Sequence, residues 1–191
     1  MIVSEHRWTI RLALFLSALM LAGGSPSLAQ PPISKEYQIK AVCLLNFAQF
    51  ISWPADTFAA ADKPFRIGIL GEDHFGSFLD ETVRGEKIDG HPLVVERYAR
   101  VEDAKDCQIL FISGSEDPRM QKIIAGLKET NILTVGETKH FCRIGGMIHF
   151  FILGNKIHFK INLEAVKQGD LVISSKVLRL ADAFQSGRSD P

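Results

Sequence analysis

Net charge is the first thing this chain lacks. Its 191 residues carry 22 Lys and Arg against 22 Asp and Glu. A nucleic-acid footprint needs a strong positive patch, so nucleic acid is excluded as a partner. Cysteine is scarce: Cys43, Cys107 and Cys142 are the only three, so at most one disulfide can form within the chain and one thiol is left over. After the first thirty residues there is no long apolar run, and nothing beyond that point is expected to span a membrane. The sequence also has no internal repeat and no low-complexity tract. What remains has the length of one domain with a sizeable core.

Motifs for chemistry are missing too. Gly68, Gly71 and Gly76 follow an apolar run with the spacing G-x-x-G-x-x-x-x-G, which is not the dinucleotide fingerprint G-x-G-x-x-G. There is no phosphate-binding G-x-x-x-x-G-K-[ST] and no G-x-S-x-G elbow. Ser113, His140 and Asp117 could be drawn together as a triad, but any chain of this length permits such a set. Glu72 and Asp73 read as polar loop residues rather than an acid pair. His140, Cys142, His149 and His158 are ligand types that zinc or copper accepts, yet their order has no standard metal spacing. No catalytic residue, metal or other cofactor is therefore expected.

The N-terminus carries a clear signal. Met1–Arg11 is mildly basic, Leu12–Ala22 is mostly apolar, and Gly23–Ala29 is rich in small residues. This is the three-part pattern of an export signal. Ser27 and Ala29 fit the −3 and −1 positions, so cleavage is expected to release a mature chain from Gln30. The apolar stretch falls short of the roughly 20 residues a spanning helix needs, and no stable membrane insertion is expected after cleavage. Losing Arg7, Arg11 and Glu5 leaves 20 basic and 21 acidic residues, a formal net of −1. Residues 30–34 read as a flexible extension, 35–184 as a single domain and 185–191 as a flexible tail.

Within the domain, Tyr37–Ile51 reads as a helix that is apolar around most of its circumference, with Lys35, Gln38, Asn46 and Gln49 on a narrow polar stripe. Such a helix is either wedged into the core or partly covered by a partner. Strands are expected at Phe65–Gly71, Leu93–Tyr98, Gln108–Ser113 and Ile132–Gly136, and helices at Phe75–Val83 and Pro118–Lys128. Short apolar strands alternating with helices predict an α/β fold, with a mostly parallel central sheet and helices on both faces. Met147–Leu153 and Lys156–Ile161 flank Gly154-Asn155, which predicts a C-terminal antiparallel hairpin. Its register sets Ile152 opposite Ile157, Phe150 opposite Phe159 and Ile148 opposite Ile161. Asn162–Gln168 reads as a short helix. Ser174 or Ser175 then caps a last helix with Val177, Leu180, Ala181 and Phe184 as its apolar stripe.

The stretch Lys40-Ala-Val-Cys-Leu-Leu-Asn-Phe-Ala-Gln-Phe-Ile-Ser-Trp-Pro54 resembles the opening of the YfiR-like family of bacterial periplasmic proteins. Phe65–Gly71, Leu133–Gly136, Gly145–Phe150, Ile161-Asn162 and Ile173–Ala181 are similar to that family as well, in the same order. The resemblance implies a dimeric α/β domain in the periplasm and no catalysis. It also implies a repressor that holds an inner-membrane diguanylate cyclase inactive through the cyclase's periplasmic sensing domain, limiting cyclic di-GMP and biofilm formation. The alternative is a periplasmic small-ligand or sensory module serving another receptor or transport system. Tyr37, Val42, Asn46 and Phe50 are the candidate partner or dimer surface. The family's two-disulfide pattern does not transfer, because Phe65–Gly71 has no cysteine and none follows Cys142. Three pairings stay open, with Cys107–Cys142 as the candidate.

Overall fold

The computed structural model describes residues 33–58 and 63–181. The export signal, most of the 30–34 extension, Phe184 and the 185–191 tail lie outside these residues. In chain order come helix α1 (Lys35–Phe50), strands β1 (Ile51–Ser52) and β2 (Phe65–Leu70), helix α2 (Ser77–Val83), and strands β3 (Lys87–Ile88), β4 (His91–Tyr98) and β5 (Ile109–Ile112). Helix α3 (Met120–Gly126) leads to strands β6 (Leu133–Gly136), β7 (Ile148–Leu153) and β8 (Lys156–Ile161). Helix α4 (Leu163–Gln168), strand β9 (Val172–Ile173) and helix α5 (Ser175–Leu178) complete the described elements.

Seven strands form one sheet in the order β3-β4-β2-β5-β6-β7-β8. The five inner strands run parallel, and β3 and β8 are antiparallel edges. The chain starts in β2, moves outward to β4, and then reverses to β5 on the other side, which is doubly wound topology with its switch point between β2 and β5. The expected α/β class with a parallel centre and a C-terminal hairpin is the observed one. The hairpin register is also as expected, from Ile148–Ile161 to Leu153–Lys156. Gly154 and Asn155 both take positive φ, 56° and 60°, as a two-residue turn that matches strand twist requires.

The inner strands are apolar on both faces because helices cover both. Ile67, Ile69, Ile109, Phe111, Leu133 and Val135 face one cluster, shared with Ala41, Leu44 and Phe47 of α1 and Leu79 and Val83 of α2. Leu110 and Ile112 face a second cluster under Met120, Ile123 and Ile124 of α3. Helix α1 is thus wedged against the sheet, and its outward stripe still carries two exposed apolar side chains, Ile39 and Val42.

Several boundaries differ from expectation for physical reasons. Helix α2 begins at Ser77, because Asp73 Oδ1 accepts from Phe75 N (2.7 Å) and Gly76 N (3.1 Å), tightening a loop ahead of it. The segment before α3 is 3-10 over Gly114–Arg119, with Pro118 inside it. The last helix stops at Leu178; of the expected apolar stripe Val177 is buried and Ala181 is half-buried against the core, while Leu180 is 71% exposed. The β1–β9 ladder, pairing Ile51 with Ile173 and Ser52 with Val172, was not anticipated, since two residues carry no periodicity.

Arg97 of β4 staples α2 to the sheet. Its Nε donates to Asp73 Oδ2 at 3.0 Å, and its Nη atoms donate to both Asp80 oxygens and to Gly76 O. These bonds from Arg97 hold the Asp80 carboxyl below its usual range. A depressed carboxyl stabilises the fold above its unfolded pKa of about 3.9, and that contribution is lost as pH falls through the folded value. Arg97→Ala should cost about 1 kcal/mol near neutral pH, a modest figure because Arg97 and Asp80 are each more than a third exposed. In urea melts the gap from wild type should narrow below about pH 4; a gap independent of pH would contradict this assignment.

Candidate functional site

In a doubly wound sheet the first place to look for a ligand is beyond the carboxyl ends of the strands at the switch point. Here that crevice is filled. Glu72 N donates to Ser115 Oγ at 2.9 Å, and a Cβ on Gly71, whose φ is +90°, would collide with Ser115 and Glu116. Glu116 is itself buried and paired with Arg119. Gly68 is likewise a packing glycine beneath Tyr98 and Leu110, not part of a phosphate loop.

The open site lies further along, where β6 ends at Glu137. The Glu137 carboxylate accepts from Lys40 Nζ at 2.5 Å, from Tyr37 Oη at 3.0 and 3.1 Å, and from Gly114 N at 3.1 Å. Lys40 also contacts Glu36 at 2.5 Å and lies over the Tyr37 ring, 4.4 Å from its centroid. Only 2% of Lys40 is exposed. Burial, then the Glu137 charge, pushes the Tyr37 phenol well above its ordinary pKa. The Tyr37 ring packs against His74 and Phe75, at 5.0 and 5.2 Å. One loop carboxylate thus fixes the first turns of α1 onto the sheet.

Beside this cluster opens a groove of about 720 Å³. Tyr37, Lys40 and Glu137 form one wall, and Phe150, Phe151 and Ile152 form the other. With Glu137 engaged by three donors and Lys40 by two carboxylates, neither side chain is placed as a general base or nucleophile. The cluster is an anchor, and the groove beside it is a binding feature. Sequence reading missed both Lys40 and Glu137. The available signal was a charged residue on an otherwise apolar helix face, since a buried ammonium requires a buried counter-charge.

The residues singled out from sequence are scattered. Tyr37 turns inward to Glu137, whereas Val42 is 47% exposed on the outer stripe of α1. Asn46 is half-buried on that side, and Phe50 is half-buried beneath Lys176, whose Nζ is 4.8 Å from the ring centroid. Tyr37 therefore does not share a face with the other three. Ser113 Oγ accepts from Ser115 N at 3.5 Å, while His140 Nδ1 is buried without a hydrogen-bond partner; with Asp117 they form no triad. Among the described residues no group of three His, Cys, Asp or Glu side chains is placed to hold a metal ion, and His140, Cys142, His149 and His158 form no such group.

The candidate Cys107–Cys142 bridge is not formed in this structure, where Cys43, Cys107 and Cys142 are thiols. Cys107 Sγ lies 3.0 Å from Ala104 O, just before β5, whereas Cys142 Sγ lies near Met147 O and Lys160 O at the β7–β8 end. Burial pushes the Cys43 thiol up to about 11 and the Cys107 thiol up to about 12. A thiol reagent near pH 8 should leave both unreacted in the native protein and titrate three thiols in denaturant. One thiol per unfolded, unreduced chain would contradict this.

The fold and site together define a doubly wound α/β domain with a filled switch point and, among the described residues, a buried Lys40–Glu137 cluster that serves as an anchor. The chain belongs to the YfiR/HmsC-like family, whose model matches residues 37–182. Members of that family are periplasmic regulatory proteins, and this chain is placed in the periplasm with them. No helix among the described residues is long and apolar enough to cross a membrane. No curated protein matches the chain. Among solved structures it is similar to the crystal structure of a conserved domain protein from Vibrio cholerae O1 biovar eltor str. N16961, with 12% identity and a TM-score of 0.47. That likeness covers 63% of this chain and 54% of the other, so the chain spans about half of that protein's length.

Proposed function

We propose that the protein binds the periplasmic sensing domain of an inner-membrane diguanylate cyclase and holds the enzyme inactive, limiting cyclic di-GMP and biofilm formation. The observation that carries this reading is the family match over residues 37–182. The tagged mature chain should recover a membrane cyclase from detergent-solubilised membranes; recovery of only an unrelated transporter or receptor would redirect the reading.

The working form in this proposal is a homodimer, and the outer stripe of α1 is the surface offered for assembly. Ile39 and Val42 stand 49% and 47% exposed there, beside half-buried Asn46, and apolar side chains in a row on a surface helix favour a covered state. Val42→Glu should shift sedimentation toward the monomer without lowering the melting temperature by more than about 2 °C, as for a surface substitution. An unchanged sedimentation profile would remove α1 from the interface.

A second reading, a small-ligand or sensory module for another receptor, is favoured by the groove beside Lys40 and Glu137. It predicts a rise in melting temperature with an envelope metabolite that is apolar along most of its length. Absence of any shift across such a panel would remove it.

A further inference from the structure

Strand β7 outruns its parallel neighbour. β6 pairs with it only at Val135–Ile148 and Gly136–His149, after which the chain leaves the sheet at Glu137. β8, by contrast, pairs with β7 along all of Ile148–Leu153. Among the described residues, 150–153 therefore have a strand on one side only, and their other edge faces the groove.

The register says which backbone groups are left over. A two-residue turn is closed by a hydrogen-bonded pair, here Leu153 with Lys156, and such pairs alternate along an antiparallel ladder. Phe151 thus bonds to His158, and Ile152 turns its N–H and C=O away from β8. Among the described residues they have no backbone partner. An open edge is normally guarded by a charge, a proline or a covering element. The stretch Phe150-Phe-Ile-Leu153 has no charge and no proline, and Ile152 and Leu153 are 57% and 60% exposed.

The charges around the slot are of one effective sign. Lys139, at the turn after β6, is exposed and lines the groove, and Lys156 is exposed on β8. The carboxylates there, Glu36 and Glu137, are already held by Lys40, and Glu137 also by Tyr37.

We propose that the open edge of β7 accepts an extended, acidic segment of the membrane partner's periplasmic domain as an added strand between β7 and the Lys40–Glu137 anchor. Main-chain bonds to Ile152 would hold it, alternate apolar side chains would cover Ile152 and the Tyr37 wall, and acidic residues would meet Lys139. This deepens the function proposed above and rests on it for the identity of the partner.

The test uses the mature chain and a short fluorescein-labelled peptide alternating valine and aspartate, with a valine–lysine peptide as comparator. Fluorescence anisotropy should show binding of the acidic peptide alone. Ile152→Pro deletes the outward N–H without touching the β8 ladder, and should weaken binding about tenfold, the scale of a lost backbone hydrogen bond. Lys139→Glu, at an exposed position, should weaken it severalfold, and circular dichroism should show both variants folded. If Ile152→Pro fails to fold, Lys139→Glu carries the test. The proposal is overturned if neither peptide binds, if the lysine peptide binds equally, or if the folded variants bind like wild type. Self-association abolished by Ile152→Pro would also overturn it, by giving the edge to a second copy. No cyclase takes part in the assay, so its failure is separable from failure of the proposed function.

Discussion

Replacing Lys40 by methionine should lower the unfolding free energy by about 3 kcal/mol, near the low end of what breaking a buried ion pair costs. The side chain is almost wholly buried, and its ammonium bridges Glu36 and Glu137. Without it, two carboxylates face one another at the start of α1. The loss stays near the low end because Glu137 keeps the Tyr37 hydroxyl and Gly114 N–H. Glu137→Gln preserves an acceptor for those donors but removes the charge that Lys40 needs. The double variant should therefore lose less than the sum of the single losses, with a coupling of at least about 1 kcal/mol. Urea denaturation of the four proteins, with unchanged slopes, measures it. Additive losses would mean that Lys40 and Glu137 do not act as a pair.

Phe141→Ala should be as damaging, costing about 3–5 kcal/mol, as for other buried aromatics truncated to alanine. Phe141 is fully buried in the cluster under α3. Its ring lies between Gly136 and Gly146, so closely that a Cβ at either glycine would collide with it. Gly146→Ala should accordingly cost about 1–3 kcal/mol by overpacking. The combination tests the geometry better than either single change, because a methyl at 146 enters the space the ring vacated. Gly146→Ala should thus be far milder in the Phe141→Ala background, by at least about 1 kcal/mol. Equal costs in both backgrounds would place the collision elsewhere.

Much of this fold could be read from sequence because its signals are local. Phe65–Leu70 and Ile109–Ile112 are short apolar runs bounded by turn residues, and Gly154-Asn155 sets the hairpin register unaided. Strand order could not be read the same way, since parallel pairing depends on helices crossing the sheet. The Lys40–Glu137 anchor was hidden by distance: the partners are 97 residues apart, and each alone looks like a solvated charge. The cysteines were no more legible: Cys107 lies just before β5 and Cys142 in the loop between β6 and β7, and spacing along the chain does not say whether two such loops meet. The open edge of β7 depends on β6 ending four residues early, a fact of the sheet and not of either strand.

The central claim is that the protein restrains a membrane cyclase from the periplasm. Its most direct test is cyclic di-GMP extracted from the host strain, from a strain lacking this chain, and from that strain supplied with the exported protein. Deletion should raise cyclic di-GMP, and the exported chain should return it to the starting level while a chain without residues 1–29 should not. Unchanged cyclic di-GMP on deletion would contradict the account.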